Sequence, residues 1–315
     1  MSPIKDFTFS YEALNPEIFF SEGDTITGTV NVTLTKDTKV KSLSLKAKGG
    51  ACVRWIEGDG ESVEIHRATK RYLEVKRYLV SETSKDTVLP RGVNHLEFSL
   101  TIPLGDLPSS FKGRYGKIVY KLEAKLSRSW HWPLRLKCEI NVFSKSLQHL
   151  DQVSMYGSVN TDVGFFSRRT VKMLAIVDRL INSPGDTVSV SVDIHNPSSK
   201  RLKPKVILQQ NTEYSTKFST KTCVTNLCKI IGKKINKKSQ EMVTYQLKIP
   251  DDAIYTLANC KLVSVRYYLK VYLDISFAKD PEVEFPLVIV PSSVCNAVLE
   301  EAVETNHAGA SGGPS

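Results

Sequence analysis

The residues of this sequence whose type and spacing could do chemistry are clusters of lysine and arginine. Four stretches contain them: KVKSLSLKAK, RATKRYLEVKRY, KRLKPK and KIIGKKINKK. Ammonium and guanidinium groups gathered on one surface attract phosphates, carboxylates and lipid headgroups. An alternative is that each cluster only keeps a β protein soluble and protects the edges of its sheets. The candidate residues for binding a partner or an anion are Lys46, Lys48, Lys76, Arg77, Lys233 and Lys234.

The charge of the whole chain points to acidic partners. The 315 residues have a formal net charge of +10, although no Lys or Arg occurs from Asp280 to Ser315. The remainder is therefore more basic than the average, and it should attract anionic lipid headgroups, phosphorylated peptides or acidic sorting sequences. We expect no nucleic-acid partner, because no stacking aromatic motif or zinc spacing accompanies the charge.

Residue patterns that would support catalysis are missing from the sequence. It contains no G-x-S-x-G, H-E-x-x-H, P-loop or C-x-x-C motif, and its six histidines are scattered singly. Cys223 and Cys228 would lie on opposite faces of a regular strand, which is a poor arrangement for zinc. We therefore expect no enzyme activity, no catalytic or metal-binding residues and no cofactor.

Nothing in the sequence suggests insertion into a membrane or secretion. There is no apolar run of about 18 residues, and the first residues do not resemble a signal peptide. We expect a cytoplasmic protein whose six cysteines are reduced.

The chain contains an internal repeat. The segment SEGDTITGTVNV (Ser21–Val32) recurs as SPGDTVSVSVDI (Ser183–Ile194), about half the chain later. In the same order, FSLTIP recurs as YQLKIP, and KIVYKLEAKL matches SVRYYLKVYL, so that Tyr120 corresponds to Tyr267. Two matches in the same order indicate a duplicated domain. In each copy, Gly23 or Gly185 should allow a tight turn, the following Asp and Thr can bond to amides of the turn, and a strand should begin after it.

Strands with one buried face are predicted throughout by alternation of apolar and polar residues. Helical periodicity is hard to find. Many short strands separated by turn residues predict an all-β fold, a tandem of two β-sandwich domains of the immunoglobulin-like kind. We place the domains at residues 1–146 and 167–291, with an interdomain connection without strands at 147–166 and a mobile acidic tail at 292–315.

Several segments resemble the α-arrestins, also called arrestin-domain-containing proteins. LPRGVNHLEFSLTIPLGDLPSSFKGRYGKIVYKLEAKLSRSWHWP (Leu89–Pro133) is similar to their amino-terminal domain, in which L-P-x-G, F-x-F-x-x-P, LPSSF-x-G and Y-x-(V/L)-x-A patterns are characteristic. SPGDTVSVSVDIHNPSSKRLKPKVILQQ and FPLVIVP are similar to their carboxy-terminal domain. The resemblance extends over about residues 7 to 291 and implies an arrestin-like tandem.

The resemblance also implies a function in the sorting of membrane proteins. α-Arrestins are adaptors that bind receptors and transporters and recruit WW-domain ubiquitin ligases of the HECT type through P-P-x-Y motifs. We therefore expect a non-catalytic adaptor or scaffold for endocytosis and ubiquitin-linked sorting, recruited from the cytoplasm to endosomes or the plasma membrane. Its expected partners are cargo tails, with WW-domain ligases and an anionic membrane surface as further candidates. The alternative is a structural subunit of an endosomal sorting coat, similar to the arrestin-shaped retromer subunit.

The sequence departs from the family pattern at three places. It contains no P-P-x-Y, so ligase recruitment would need another route. The stretch KIIGKKINKKSQ has no cysteine where the thioredoxin-binding member has a reactive one. The first strand, DFTFSYEAL, lacks the lysine pair with which visual and β-arrestins hold phosphate.

Overall fold

The chain is divided into two compact units that are almost entirely β-structure. The structure is a computed structural model, and it describes residues 2–12, 14, 19–59, 62–81, 87–147, 150, 152–163, 169–276 and 280–298. The first unit is Met1–Ser146 together with Tyr214–Thr220 and Asn259–Val263. The second unit comprises Leu147–Glu213, Lys221–Ala258 and Ser264–Ser315.

The first unit contains a three-stranded sheet of order β1-β3-β8 and a larger sheet of order β2-β11-β10-β5-β6, in which β9 also pairs with β10. A small third sheet pairs β4 with β7. A short 3-10 helix, Lys145–Leu147, follows the last strand. The strands are β1 Ile4–Tyr11, β2 Phe19–Phe20, β3 Thr25–Leu34, β4 Thr38–Val40, β5 Ser42–Glu57, β6 Glu64–Val80, β7 Thr87–Leu89, β8 Gly92–Thr101, β9 Phe111–Lys112, β10 Gly116–Ser127 and β11 Leu134–Val142.

The second unit contains a four-stranded sheet of order β12-β13-β15-β18 and a five-stranded sheet of order β14-β20-β19-β16-β17. A helix, α1, follows at residues 292–298. The strands are β12 Met155–Val163, β13 Arg169–Val177, β14 Ile181–Asn182, β15 Thr187–Asn196, β16 Lys203–Ser215, β17 Thr220–Ile231, β18 Ser239–Lys248, β19 Val263–Asp274 and β20 Glu282–Ile289.

Alternating burial explains why these segments are strands. In β15 the four alternate apolar residues from Val188 to Ile194 are fully buried. In β19 the alternate residues from Val265 to Leu273 are also fully buried, except that Tyr267 is 1% exposed. Because successive side chains of a strand point to opposite faces, such a segment covers a core with one face and meets solvent with the other. The predicted all-β tandem of sandwiches is confirmed, with 66% of residues in strands.

The repeated turn has the same construction in both units. Gly23 has φ 85° and Gly185 has φ 87°, the left-handed conformation that glycine adopts without steric cost. The carboxylate of Asp24 accepts a hydrogen bond from the Ser21 amide at 2.7 Å, and Asp186 accepts one from the Ser183 amide at 2.8 Å. The sequence prediction of a glycine turn closed by the following aspartate is therefore confirmed.

The two tyrosines paired by the repeat also have equivalent environments. Tyr120 and Tyr267 are both almost completely buried. The hydroxyl of Tyr120 donates to the Pro108 carbonyl at 2.7 Å, and that of Tyr267 donates to the Ile254 carbonyl at 2.5 Å. Each hydroxyl ties a central strand to the loop that precedes it, since a buried O–H needs a partner.

Two sequence predictions about irregular segments are wrong. The expected connection at 147–166 contains β12, which pairs along its whole length with β13. The apolar alternation of β12 is weak, because Gly157 and Thr161 lie on its half-buried side and Tyr156 lies on its exposed side. The expected mobile tail begins with α1, in which Val294, Cys295 and Val298 are buried. Such i, i+1, i+4 spacing is one apolar face of a helix. The remainder of the tail, 299–315, lies outside the described residues.

Within the described ranges, no helix has the length and apolar character needed to cross a membrane.

Candidate functional site

The outer face of the larger sheet of the first unit gathers basic side chains from four neighbouring strands. Three cross-strand rows follow one another along it. The rows run, from β11 to β6, Arg135–Lys125–Ser44–Tyr78, Lys137–Glu123–Lys46–Lys76 and Glu139–Lys121–Lys48–Glu74. We call this surface the basic face and define it by its seven cations, Lys46, Lys48, Lys76, Lys121, Lys125, Arg135 and Lys137.

Strand alternation places these charges on one surface. The residues between them in sequence, such as Leu45, Ala47 and Leu122, are fully buried in the core. Every second residue of each strand must then point outwards. The antiparallel register aligns the outward residues across the strands, where directly opposed side chains lie close enough to interact.

The basic face contains a small cavity with strongly positive walls. The cavity has a volume of about 210 Å³ and is lined by Ser44, Lys46, Lys48, Lys76, Glu123, Lys125 and Arg135. Five of these seven side chains are cations and only Glu123 is an anion. A second depression of about 360 Å³ shares Lys48 and continues the basic surface past Lys70, Arg71 and Lys121.

Glu123 is a buried carboxylate at the centre of this surface. Its side chain is only 6% exposed, and it accepts hydrogen bonds at 2.5 Å from both Lys48 and Arg135. The Lys137 ammonium lies 3.9 Å away. The hydrogen bond from Lys48 is the main cause that lowers the pKa of Glu123 to about 2; burial opposes it, and Arg135 contributes further in the same direction. Glu123 is therefore ionised at neutral pH and orders the cations around it.

The other cations of the cavity differ in how strongly they are already paired. Lys46 pairs with Glu74, which lowers the pKa of that carboxyl. Lys76 donates to the Tyr78 hydroxyl at 2.6 Å and lies 4.1 Å from the centre of the same ring, with no acidic partner within the described ranges. Lys125 likewise has no ion-pair partner in the described part of the chain. Lys76 and Lys125 are consequently the cations most available to an external anion.

The predicted residues are only partly brought together. Lys46, Lys48 and Lys76 share the basic face. Arg77 points to the opposite side of the sheet, because it is paired with the buried Leu45, and its guanidinium donates to the Ser99 carbonyl at 2.7 Å. Lys233 and Lys234 are exposed in the loop between β17 and β18 of the second unit.

The sequence interpretation missed Lys125, Arg135 and Glu123 as members of the site. The alternation in KIVYKLEAKL does place Lys125 and Glu123 on the outward face of their strand. What the sequence did not supply was the pairing of β5 with β10, which sets Lys46 directly against Glu123. Since β5 and β10 are far apart in sequence, alternation within each strand could not show that their outward side chains meet.

The described residues offer no arrangement for a metal ion, since no group of three or more His, Cys, Asp or Glu side chains is close enough among them. Each of the six cysteines is free.

Comparison with known proteins identifies both units. The family described as "Arrestin (or S-antigen), N-terminal domain" matches residues 7–148, and "Arrestin (or S-antigen), C-terminal domain" matches residues 167–294. The chain is 27% identical over 287 residues to mouse "Arrestin domain-containing protein 4", covering 86% of this chain and 68% of the mouse protein. It is 25% identical over 296 residues to human "Thioredoxin-interacting protein", covering 91% of this chain and 74% of the human protein. The chain therefore belongs to the arrestin family, as an α-arrestin that carries both arrestin domains and contains no P-P-x-Y motif.

Proposed function

We propose that this protein is a non-catalytic adaptor that binds acidic segments of membrane-protein tails through the basic face. The observation that carries the proposal is the cavity in which five cations converge on one outward-facing surface of an arrestin domain. Cytoplasmic action with recruitment to endosomes or the plasma membrane belongs to the same proposal. So does the delivery of the bound cargo to ubiquitin-linked sorting.

The chemistry of the cavity favours an extended acidic peptide over a single anion. The cations are spread over three rows and four strands, so neighbouring carboxylates of a peptide could each meet a different side chain. One exposed ion pair contributes only about 0.2 to 1 kcal/mol. Micromolar binding requires about 8 kcal/mol, so several pairs and additional backbone or apolar contacts must act together.

Ligase recruitment needs a route other than P-P-x-Y within this sequence. We propose that WW-domain ligases of the HECT type are reached through the cargo or through a second adaptor.

A binding measurement with the full chain tests the proposal. A fluorescein-labelled peptide with a run of Asp and Glu is titrated with the wild type and with the double variant Lys76→Gln, Lys125→Gln. The described residues give these two cations no acidic partner, so their neutralisation should leave the fold intact. We expect about tenfold weaker binding, because two lost contacts of roughly 0.7 kcal/mol each give one factor of ten.

The matched control is Lys233→Gln, Lys234→Gln, which removes the same charge from the second unit. We expect it to bind the peptide nearly as tightly as the wild type. Equal loss in both variants would show that only total charge matters, and no loss in either would refute the basic face as the site. Elution of the protein only within a large stoichiometric complex would instead favour the coat-subunit alternative.

A further inference from the structure

The hairpin loop between β10 and β11 presents two tryptophans entirely to solvent. The loop has the sequence RSWHWP, residues 128–133, and we call it the tryptophan loop. Trp130 is 102% exposed and Trp132 is 93% exposed. Neither indole has a hydrogen bond or ring contact with the part of the chain that the structure describes. A single exposed apolar residue is ordinary, but two bare indoles within three residues call for a partner.

The backbone of the tryptophan loop has an uncommon conformation at its first indole. Trp130 has φ 61°, in the left-handed region that non-glycine residues rarely adopt. At the next residue, His131 Nδ1 lies 2.8 Å from the Ser129 carbonyl oxygen. Strained backbone of this kind tends to occur where a segment binds something.

Cations surround the tryptophan loop. Arg128 is its first residue. Lys125 at the end of β10 and Arg135 at the start of β11 are directly opposed and flank the loop. Arg135 is three positions after Trp132, which is a reach of at most about 11 Å. This is comparable with the Debye length of about 8 to 10 Å in physiological salt, so these charges would act on any surface that the indoles touch.

The surroundings of the indoles favour a lipid surface over a protein partner. A stable protein interface covers about 800 Å² on each side with a well-packed apolar centre. Here Arg128, Ser129 and His131 are polar, and only Pro133 and the partly exposed Leu134 extend the apolar surface beyond the indoles. Tryptophan beside basic residues is instead the composition of membrane interfaces, where the ring lies at headgroup level and the cations meet anionic phosphates.

We propose that the tryptophan loop is a membrane-anchoring element that inserts Trp130 and Trp132 into the interfacial region of a bilayer containing anionic phospholipid. Arg128 then lies at the headgroups, and the nearby basic face adds longer-range attraction to the anionic surface. This goes beyond the proposed function, since it assigns a second ligand to the tryptophan loop, which adjoins the basic face. An adaptor held in this way would meet cargo tails at the point where they leave the membrane.

The experiment uses the full chain and vesicles of phosphatidylcholine with or without phosphatidylserine, some of them with brominated acyl chains that quench nearby indoles. The chain has three tryptophans, and Trp55 is only 2% exposed. Trp55 therefore supplies an unquenched reference. The test variant is Trp130→Asn, Trp132→Ser, in which asparagine tolerates the left-handed backbone. The control is Phe218→Ser, which removes another aromatic ring, 87% exposed, from a different loop.

We expect vesicle affinity to fall by about tenfold or more in the tryptophan variant, since each buried large apolar side chain accounts for about a tenfold factor. Quenching by brominated lipid should disappear with it, and the Phe218 control should match the wild type. Arg128→Gln should weaken binding to the anionic vesicles by about fivefold.

Binding to vesicles without quenching of the wild type would overturn insertion, and so would equal affinity of the wild type and the tryptophan variant. Protection of the indoles in a protein dimer, detected by sedimentation velocity, would assign the loop to self-association instead. The acidic peptide is titrated in parallel. Retained peptide affinity in the tryptophan variant separates failure of the anchor from failure of the proposed function.

Discussion

Replacing Glu123 by glutamine should have opposite effects on stability and on ligand affinity. The substitution keeps the size of the side chain and removes the one negative charge that lies inside the cavity. In the folded protein that charge is held by Lys48 and Arg135, each at 2.5 Å. It therefore contributes to folding and at the same time weakens the attraction of the cavity for an external anion.

The size of the stability effect follows from the lowered pKa. A fall in the pKa of Glu123 from 4.5 to about 2 would correspond to about 3.4 kcal/mol if it were fully expressed. The Lys48 and Arg135 side chains are 40% and 47% exposed, so solvent screens the interaction. We expect the free energy of unfolding to fall by ~1–2 kcal/mol in the variant at neutral pH.

The effect should depend on pH in a defined direction. Because the folded-state pKa of Glu123 is lower than its unfolded value, the carboxylate stabilises the fold fully above about pH 4.5. This contribution is lost as the pH falls through the folded value of about 2. The stability difference between wild type and Glu123→Gln should therefore be largest at neutral pH and shrink below about pH 4.5.

The affinity effect follows from Coulomb's law. An anionic ligand group about 7 Å from the lost carboxylate gains ~0.6 kcal/mol at the dielectric constant of water and ~2.4 kcal/mol at an effective value of 20. The acidic peptide should thus bind at least about threefold more tightly to Glu123→Gln.

Urea denaturation at a series of pH values measures the first effect, and titration with the labelled peptide measures the second. Glu139→Gln is the control, since Glu139 lies on the same face and is paired with Lys112 and Lys121, but is 46% exposed. Glu139→Gln should lower the free energy of unfolding less than Glu123→Gln does. A stability difference that stays constant from neutral to acid pH, or weaker peptide binding by Glu123→Gln, would refute the reasoning.

Two further predictions concern the core of the tandem. Tyr120→Phe and Tyr267→Phe should each lower the free energy of unfolding by about 1–2 kcal/mol, because each leaves a loop carbonyl without its hydrogen-bond donor. Urea denaturation measures this. A loss of stability in only one of the two variants would show that the two hydrogen bonds are not equivalent. Gly49→Ala should cost about 1–3 kcal/mol, because the added Cβ would overlap the buried Tyr120 ring on the neighbouring strand, and an unchanged midpoint in urea would contradict this close approach.

The elements that could be predicted from the sequence are those with a local signal. The glycine–aspartate turns at Gly23 and Gly185 recur as predicted, since the turn requires only a left-handed residue and a short acceptor next to it. Strand β12 was missed, because Gly157 and Thr161 weaken the apolar alternation of its half-buried side and its pairing with β13 is what defines it as a strand. Local composition does not reveal a strand that is formed by pairing.

The candidate site likewise has features that the sequence predicts and features that only the tertiary structure shows. Alternation along each strand was sufficient to assign Lys46 and Lys48 to an outward face. The same alternation already separates Arg77 from its neighbour Lys76, and the pairing of Arg77 with the buried Leu45 shows which of the two faces is the inner one. Alternation could not bring Lys125 and Arg135 next to Lys46, because β10 and β11 reach β5 only through the order of strands in the sheet.

The sequence by itself determined the all-β tandem, the duplicated turn and the matched tyrosines, because periodicity, glycine and repetition are properties of short segments. The tertiary structure alone decided which charges form one surface and that Glu123 is buried among them. It also decided that the two tryptophans of the β10–β11 loop remain bare. These outcomes depend on strand order, register and packing between residues that are distant in the chain.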